Sequence, residues 1–279
     1  MMYIYCIDGK DVAVELESID KFSIGVDEVL IDKYDDLTKN KAWHKQGYKV
    51  INSNKFFDKA VVINAVENSL KRIISEEVPG VNLKNFSLEK YHEYVNDEEH
   101  LIVISRTRRL YPKDFAFDSR GLLDGLSAYM GSELTFVNKF LNQEQWIIVR
   151  INRPNSIGFN PIHKDIYEAY DNFHEIPKMV NVWIPICGVS KSTGLPVAPG
   201  SHLLSENEIF RTRAGSTLNG QNYSVNSILN WGGCNKLQTL IPGSSEMVVF
   251  SSHLVHGLAL NHHSDTTRIS LEFRLYAAS

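Results

Sequence analysis

Cysteine is scarce. Cys6, Cys187 and Cys234 are the only three, they lie far apart, and no Cys-x-x-Cys pair occurs. Such a set excludes a disulfide framework and a Cys-rich zinc site, and makes a reducing cytoplasm the expected compartment. Long apolar runs are missing as well: Leu101 to Ile104 and Met247 to Phe250 are typical, against the roughly 20 residues that a membrane-spanning helix requires. No membrane partner is expected. Positive charge is not in excess, with 29 Lys and Arg against 33 Asp and Glu and a net charge of -4, so the footprint of a nucleic-acid or anionic-membrane binder is absent. The start, Met1 to Lys10, has no basic segment followed by an apolar stretch, so no secretory leader is expected. No repeat and no Pro-rich or Ser-rich tract divides the chain.

What is present is enough apolar sequence for a sizeable core, 43% of 279 residues, and we expect a single domain over 1–279. Its character changes near residue 140. In the mixed first part, 1–140, Asp58 is placed to cap a helix carrying Val62, Val66, Leu70 and Ile73 at helical steps, which Pro79-Gly80 stops. A second helix is predicted from Arg120 to Met130, closed by Gly131. In the remainder, 141–279, short strands alternate with Gly, Pro, Asn and Ser, the pattern of a sandwich or barrel. Trp146 to Ile151, Met179 to Ile186 and Arg268 to Tyr276 are the clearest. The last of these puts Arg268, Ser270, Glu272, Arg274 and Tyr276 on one face, and such a polar face either meets water or lines a cavity. Residues 205–240 read as a long functional loop.

One segment carries chemistry. In Asn160-Pro161-Ile162-His163-Lys164-Asp165, an imidazole and a carboxylate two residues apart leave the same face of an extended backbone. If the fold returns His256 to that face, two His and one carboxylate suit a non-haem Fe(II) ion, with three positions open for a bidentate 2-oxo acid and dioxygen. His253 competes for the third place, but His256 is preferred because Gly257 and the step to Arg268 fit. Arg268 with Ser270 on one strand face then offers a guanidinium fork and a hydroxyl to the far carboxylate of the 2-oxo acid.

The run Met179-Val180-Asn181-Val182-Trp183-Ile184-Pro185-Ile186, then Gly194 through Pro199-Gly200-Ser201-His202, then His256-Gly257 through Asn261 to Arg268, resembles the phytanoyl-CoA dioxygenase (PhyH-like) family over residues 146–276. The resemblance implies a mainly β fold with flanking helices (α+β) around a double-stranded β-helix, a jelly-roll or cupin-like core. It also implies Fe(II), 2-oxoglutarate and O2, with succinate and CO2 released as a small-molecule substrate is oxidised, most often by hydroxylation. On that likeness His163, Asp165 and His256 hold the metal, Arg268 takes the distal carboxylate of 2-oxoglutarate, and Trp183 lines the site. Leu258 stands where the family commonly has a small hydroxyl residue, which moves that part to Ser270. Asp165, in place of Gly or Ala, leaves no chloride seat and speaks against a halogenase.

Asn152 and Arg153 either touch 2-oxoglutarate or substrate, or form the turn before Pro154. Substrate selection is assigned to Lys164, Tyr167 and Tyr170 after the first ligands and to Arg211, Arg213 and Trp231 in the long loop; the two loop arginines would attract an anion. His202 reads as a turn residue. Two other readings stay open: a jelly-roll hydrolase or isomerase loaded with zinc, and a non-catalytic jelly-roll module that binds a ligand on its concave face.

Overall fold

The Asp58 carboxylate accepts from the Ala60 N–H and starts helix α1 (Lys59–Glu77), whose buried Val62, Val66, Leu70 and Ile73 repeat at the helical period. This computed structural model describes residues 2–17, 22–24, 36–156, 160–167, 177–212 and 215–278. Helix α2 (Asp97–Thr107) opens with a capping box between Asn96 and Glu99. Helix α3 (Ser119–Met130) runs from an Asp118 cap to Gly131, whose φ of +60° is the left-handed close that the sequence predicts.

The larger sheet has the order β4 (Tyr48–Asn52), β16 (Glu246–Ser251), β9 (Met179–Cys187), β17 (Arg268–Ala277), β5 (Leu134–Thr135), and β8 (Ile148–Asn152) also pairs with β17. All of these pairings are antiparallel. A second sheet runs β10 (Leu195–Val197), β15 (Lys236–Leu240), β1 (Met2–Ile7), β2 (Lys10–Glu17), β12 (Ser216–Leu218), β13 (Gln221–Tyr223). Next come β14 (Ile228–Trp231), β11 (Ile209–Thr212) and β3 (Phe22–Ile24), and a hairpin joins β6 (Val137–Asn138) to β7 (Gln143–Glu144). The fold is mainly β with flanking helices, and its core is a double-stranded β-helix.

Alternation decides what each sheet face meets. On β9, Val180, Val182, Ile184 and Ile186 join Ile269, Leu271, Phe273 and Leu275 of β17 and the apolar stripes of α1, α2 and α3 in one hydrophobic cluster. Truncating wholly buried Leu271 there to alanine costs about 2–5 kcal/mol. The helices therefore cover the outer face and leave the other face of β9 and β17 to an interior. A second cluster, with Tyr5, Leu16, Ile209, Ile228, Trp231 and Leu258, fills the smaller sheets.

Residues 205–240, expected as a long loop, instead carry β11 through β15. These strands are three to five residues long, too short for alternation to show. One signal was present: Asn219-Gly220, both at positive φ, forms the tight turn between β12 and β13. Among the described residues no helix is long and apolar enough to cross a membrane.

Candidate metal centre and its cavity

Register builds one wall of the site. Residues directly opposite on neighbouring strands share a face, and β17 pairs Arg268 with Asn152 and Ser270 with Arg150 on β8. On its other side it pairs Glu272 with Trp183 and Arg274 with Asn181 on β9, which in turn sets Asn181 beside Phe250 of β16. Asn152, Arg150, Trp183, Asn181, Phe250, Glu272 and Arg274 all line a cavity of about 310 Å³.

The opposite wall carries the His-x-Asp segment. His163 and His256 are paired across a two-bond antiparallel bridge, His163 N–H to His256 O at 2.8 Å and His256 N–H to His163 O at 3.1 Å. His256 is also bridged to Val197, and the Ile228 N–H donates to Ile162 O, so the ligand-bearing segments complete the sheet between β10 and β14. Gly257 makes this approach possible. Its φ is +136°, and a Cβ there would lie 2.3 Å from Pro161 O.

His163, Asp165 and His256 converge. One donor atom from each lies within 4.8 Å of the others, with His163 Nε2 at 3.5 Å and His256 Nε2 at 3.7 Å from the Asp165 carboxylate. Each imidazole is oriented by its own backbone: Nδ1–H of His163 donates to Pro161 O at 2.7 Å and that of His256 to Leu254 O at 2.9 Å. That fixes the tautomer and aims both Nε2 lone pairs inward, as metal-ligating histidines require. Burial, and then the neighbouring His163, pushes His256 down to about 4, so it is neutral at ordinary pH. Burial pushes Asp165 up, but Arg274 at 2.6 Å and the two histidines hold it well below the usual carboxylate range. Asn181 Nδ2 donates to its other oxygen.

Behind this group lies the Arg268 end. The Arg268 side chain is fully buried; Nε donates to Thr193 O, Nη1 to Asn152 Oδ1 and to Ser270 Oγ, and the Trp183 ring lies 5.1 Å from the guanidinium carbon. Nη2 is buried with no acceptor among the described residues. Burial lowers the Arg268 pKa to about 10, which still leaves it charged. The Ser270 hydroxyl donates to Glu272 at 2.8 Å, so it orients Arg268 and has no proton left to offer a ligand. Glu272 also takes the Trp183 indole N–H and a forked pair from Arg150. Burial pushes its carboxyl up, and Arg150 and Arg268 more than offset this and keep it ionised.

Several expected substrate residues lie elsewhere. Lys164, Tyr167, Arg211 and Trp231 are buried and none lines the cavity. Lys164 sits between two inward-facing residues on extended backbone, so it points outward and meets Glu206 at 2.8 Å. Tyr167 donates to the same carboxylate, Arg211 lies over the Tyr167 ring, and Trp231 belongs to the second hydrophobic cluster. Tyr170 and Arg213 lie outside the described residues. Arg153 pairs with Asp97 away from the cavity, and Leu258 packs into the second cluster. Asn152 and Trp183 do line the cavity, next to Arg268.

A second trio, Asp36, His44 and His202, also brings donor atoms within reach of one another. Its groups are engaged in holding turns. Asp36 accepts from Thr38 N–H and the Ser251 hydroxyl, Thr38 Oγ1 meets His44 Nδ1, and His202 Nε2–H donates to His44 O at 2.6 Å. His253 is buried outside both trios.

Sequence reasoning missed Arg150, Asn181, Glu272 and Arg274 as site residues, although alternation put Glu272 and Arg274 on the face of Arg268 and Asn181 on the face of Trp183. It missed Arg108, Arg109 and Tyr223 outright, because residues after a helix end and in a short hairpin carry no periodic signal.

No family model matches the chain, and no curated protein matches it. Three solved structures to which the chain is similar in course are EctD from S. alaskensis with 2-oxoglutarate and 5-hydroxyectoine, AviO1 from Streptomyces viridochromogenes Tue57, and the non-heme monooxygenase ThoJ in its nickel complex. For EctD the identity is 12% and the TM-score 0.49, over 95% of this chain and 86% of that one. For AviO1 the values are 11% and 0.47, over 88% and 96%. For ThoJ they are 15% and 0.44, over 87% and 77%.

Proposed function

We propose that the chain is a non-haem Fe(II)- and 2-oxoglutarate-dependent dioxygenase that hydroxylates a small molecule and releases succinate and CO2. The observation that carries this reading is the pairing of two donor sets close to one cavity. On its wall two imidazole lone pairs and a carboxylate converge; behind its lining residues Asn152 and Trp183, a fully buried arginine keeps one N–H2 without an acceptor among the described residues. A zinc hydrolase needs the first set and has no use for the second.

The donor set fits Fe(II), since two neutral imidazoles and one carboxylate leave positions for a chelating 2-oxo acid and dioxygen. When bound, iron with 2-oxoglutarate supplies the oxidation of an unactivated C–H bond by dioxygen. His163, Asp165 and His256 hold the metal. Arg268 takes the distal carboxylate, with Nη2 as the free arm of its fork and Asn152, Ser270 and Thr193 fixing the rest. Glu272 holds the Ser270 proton and the Trp183 indole, which keeps that end of the cavity rigid. Phe250 and Leu195 keep water from the cavity beside the triad.

An anaerobic titration of the metal-free chain with Fe(II) and 2-oxoglutarate tests this. The weak visible charge-transfer band of a chelated 2-oxo acid is expected in wild type, absent in His163→Ala, and shifted to far higher 2-oxoglutarate in Arg268→Ala. Stoichiometric metal without a band in wild type would sink the reading.

A further inference from the structure

The cavity wall holds more positive charge than the metal centre and the cosubstrate end use. Arg108, Arg109, Arg150 and Arg274 face it, against Asp165 and Glu272. In a chain of net charge -4 this is a local reversal of sign. Two of the four are neutralised in place, Arg150 by its fork on Glu272 and Arg274 by Asp165. Arg108 has no hydrogen-bonding or ion-pair partner for its guanidinium among the described residues, and Arg109 lies over the Trp146 ring at 5.5 Å with no carboxylate in range.

Backbone structure fixes the position of this pair. Arg108 is the C-terminal cap of α2, and two residues on, Leu110 O accepts the Ile147 N–H at 2.6 Å in a bridge that ties the turn to the start of β8. Tyr223, Ser224 and Val225 line the same cavity, and Tyr223 is close enough to act on the Arg108 charge. Arg108 is exposed along its length, yet the protein around its charged end, and then the like charge of Arg150, lower its pKa, while Tyr223 and Glu272 act the other way. Arg108, Arg150 and Arg268 form a line in which each feels the next. Among the described residues the first lacks an ion-pair partner, whereas Arg150 has Glu272 and Arg268 is held by Asn152 and Ser270. The apolar side chains of the lining include Ile148, Leu195, Val225 and Phe250. At about 310 Å³ the space is at the lower end for a ligand pocket.

We infer that the substrate is a small amphipathic monoanion whose carboxylate sits on Arg108 beside Tyr223 and Arg109, with its apolar body against Ile148 and Val225. That this anion is the molecule oxidised rests on the oxygenase reading; the anion seat belongs to the metal-free chain. One guanidinium without an ion-pair partner among the described residues, with its neighbour held on an indole, matches a single negative charge, and a carboxylate presents two oxygens to the fork. The seat also orients the substrate. A carboxylate held on Arg108 leaves the apolar end in the cavity that His163 and His256 also line.

Calorimetric titration of the metal-free, full-length chain, without 2-oxoglutarate, tests the seat with cyclohexanecarboxylate, its neutral isostere cyclohexanecarboxamide, and cyclohexyl phosphate. The carboxylate is expected to bind more tightly than the amide and the phosphate. Arg108→Gln is expected to weaken the carboxylate roughly tenfold or more and leave the amide unchanged, since one charge-assisted fork is removed. Arg268→Ala, with melting temperature checked, is expected to change neither. Four results overturn the inference: no carboxylate binding, equal binding in Arg108→Gln, loss through Arg268→Ala in its place, or tighter binding of the phosphate. Because neither iron nor 2-oxoglutarate is present, the outcome is separate from that of the charge-transfer titration. A chain that binds the carboxylate through Arg108 but gives no band keeps its anion seat and loses the oxygenase reading.

Discussion

Two clusters of buried charge lie on opposite faces of the three-residue segment His163-Lys164-Asp165. On the outward face Lys164 meets Glu206 at 2.8 Å, the Tyr167 hydroxyl donates to the second Glu206 oxygen at 2.9 Å, and Arg211 stands 3.7 Å from that oxygen and 4.4 Å from the centre of the Tyr167 ring. That cluster is closed in charge, because Lys164 and Arg211 both face the Glu206 carboxylate. On the inward face the two Nε2 lone pairs and the Asp165 carboxylate point at a common space, and Nη2 of Arg268 is buried without an acceptor among the described residues. Burial of charge is common to both and so does not mark a site. What separates them is where the polar atoms face. Lys164, Tyr167 and Arg211 all turn to the one Glu206 carboxylate, whereas the imidazole lone pairs face a cavity, where a ligand can answer groups whose burial costs free energy. The closed cluster anchors the segment, and the open one is available for chemistry.

The sharpest way to break this contrast is to open the closed side. Glu206→Ala strands Lys164 in the interior and is expected to cost about 3–5 kcal/mol of stability in urea unfolding. Replacing the pair together, Lys164→Met with Glu206→Leu, should recover most of that loss if the cluster is an anchor. A double variant as unstable as Glu206→Ala would show that the charges themselves are needed. The open side should respond in the reverse manner. His163→Ala is expected to lower metal affinity about 100-fold or more, read by competition with a chelating dye, while unfolding of the metal-free chain shifts far less than in Glu206→Ala. Smaller again is Arg268→Lys, which keeps the charge and loses the fork; 2-oxoglutarate affinity should fall roughly tenfold, followed by the charge-transfer band.

The contrast also explains how far the sequence could be read. His163, Asp165, Arg268 and Ser270 were legible because extended backbone alternates, so that i and i+2 share a face whatever the rest of the chain does. The outer-face residues of β9 and β17 and the caps Asp58 and Gly131 follow from equally local rules. By the same alternation Lys164 turns away from the space between His163 and Asp165 and meets Glu206 instead. Glu272 and Arg150 required knowledge of register between strands far apart in sequence, which one sequence does not contain. Arg108 and Arg109 were hidden for another reason. Their place depends on the single Leu110–Ile147 bridge between a helix end and a strand start, a contact without periodicity.

The mildest test applies the rule to a neutral group away from both clusters. The His100 Nδ1 lies 3.0 Å from the buried Tyr91 hydroxyl, which donates to it, and the two rings meet edge to face at 5.7 Å. Burial lowers the His100 pKa from 6.5 to about 4, and the nearby cations Arg153 and Arg108 add to this. Between those two values the unfolded chain holds the proton and the folded chain does not, so stability rises with pH through this window. The contribution is complete above the unfolded value and is lost as pH falls from 6.5 toward 4. One proton sets an upper limit on the slope of about 1.4 kcal/mol per pH unit. His100→Gln keeps an acceptor for Tyr91 and removes the proton site, so its stability at pH 7 should lie within about 1 kcal/mol of wild type, with a shallower acid limb in urea unfolding between pH 4 and 7. Arg108→Gln should flatten the same limb by less, because it removes only one of the cations that hold His100 neutral. Limbs that superimpose in all three proteins would show that His100 is protonated alike in the folded and unfolded chain, and that the Arg108 charge does not reach it.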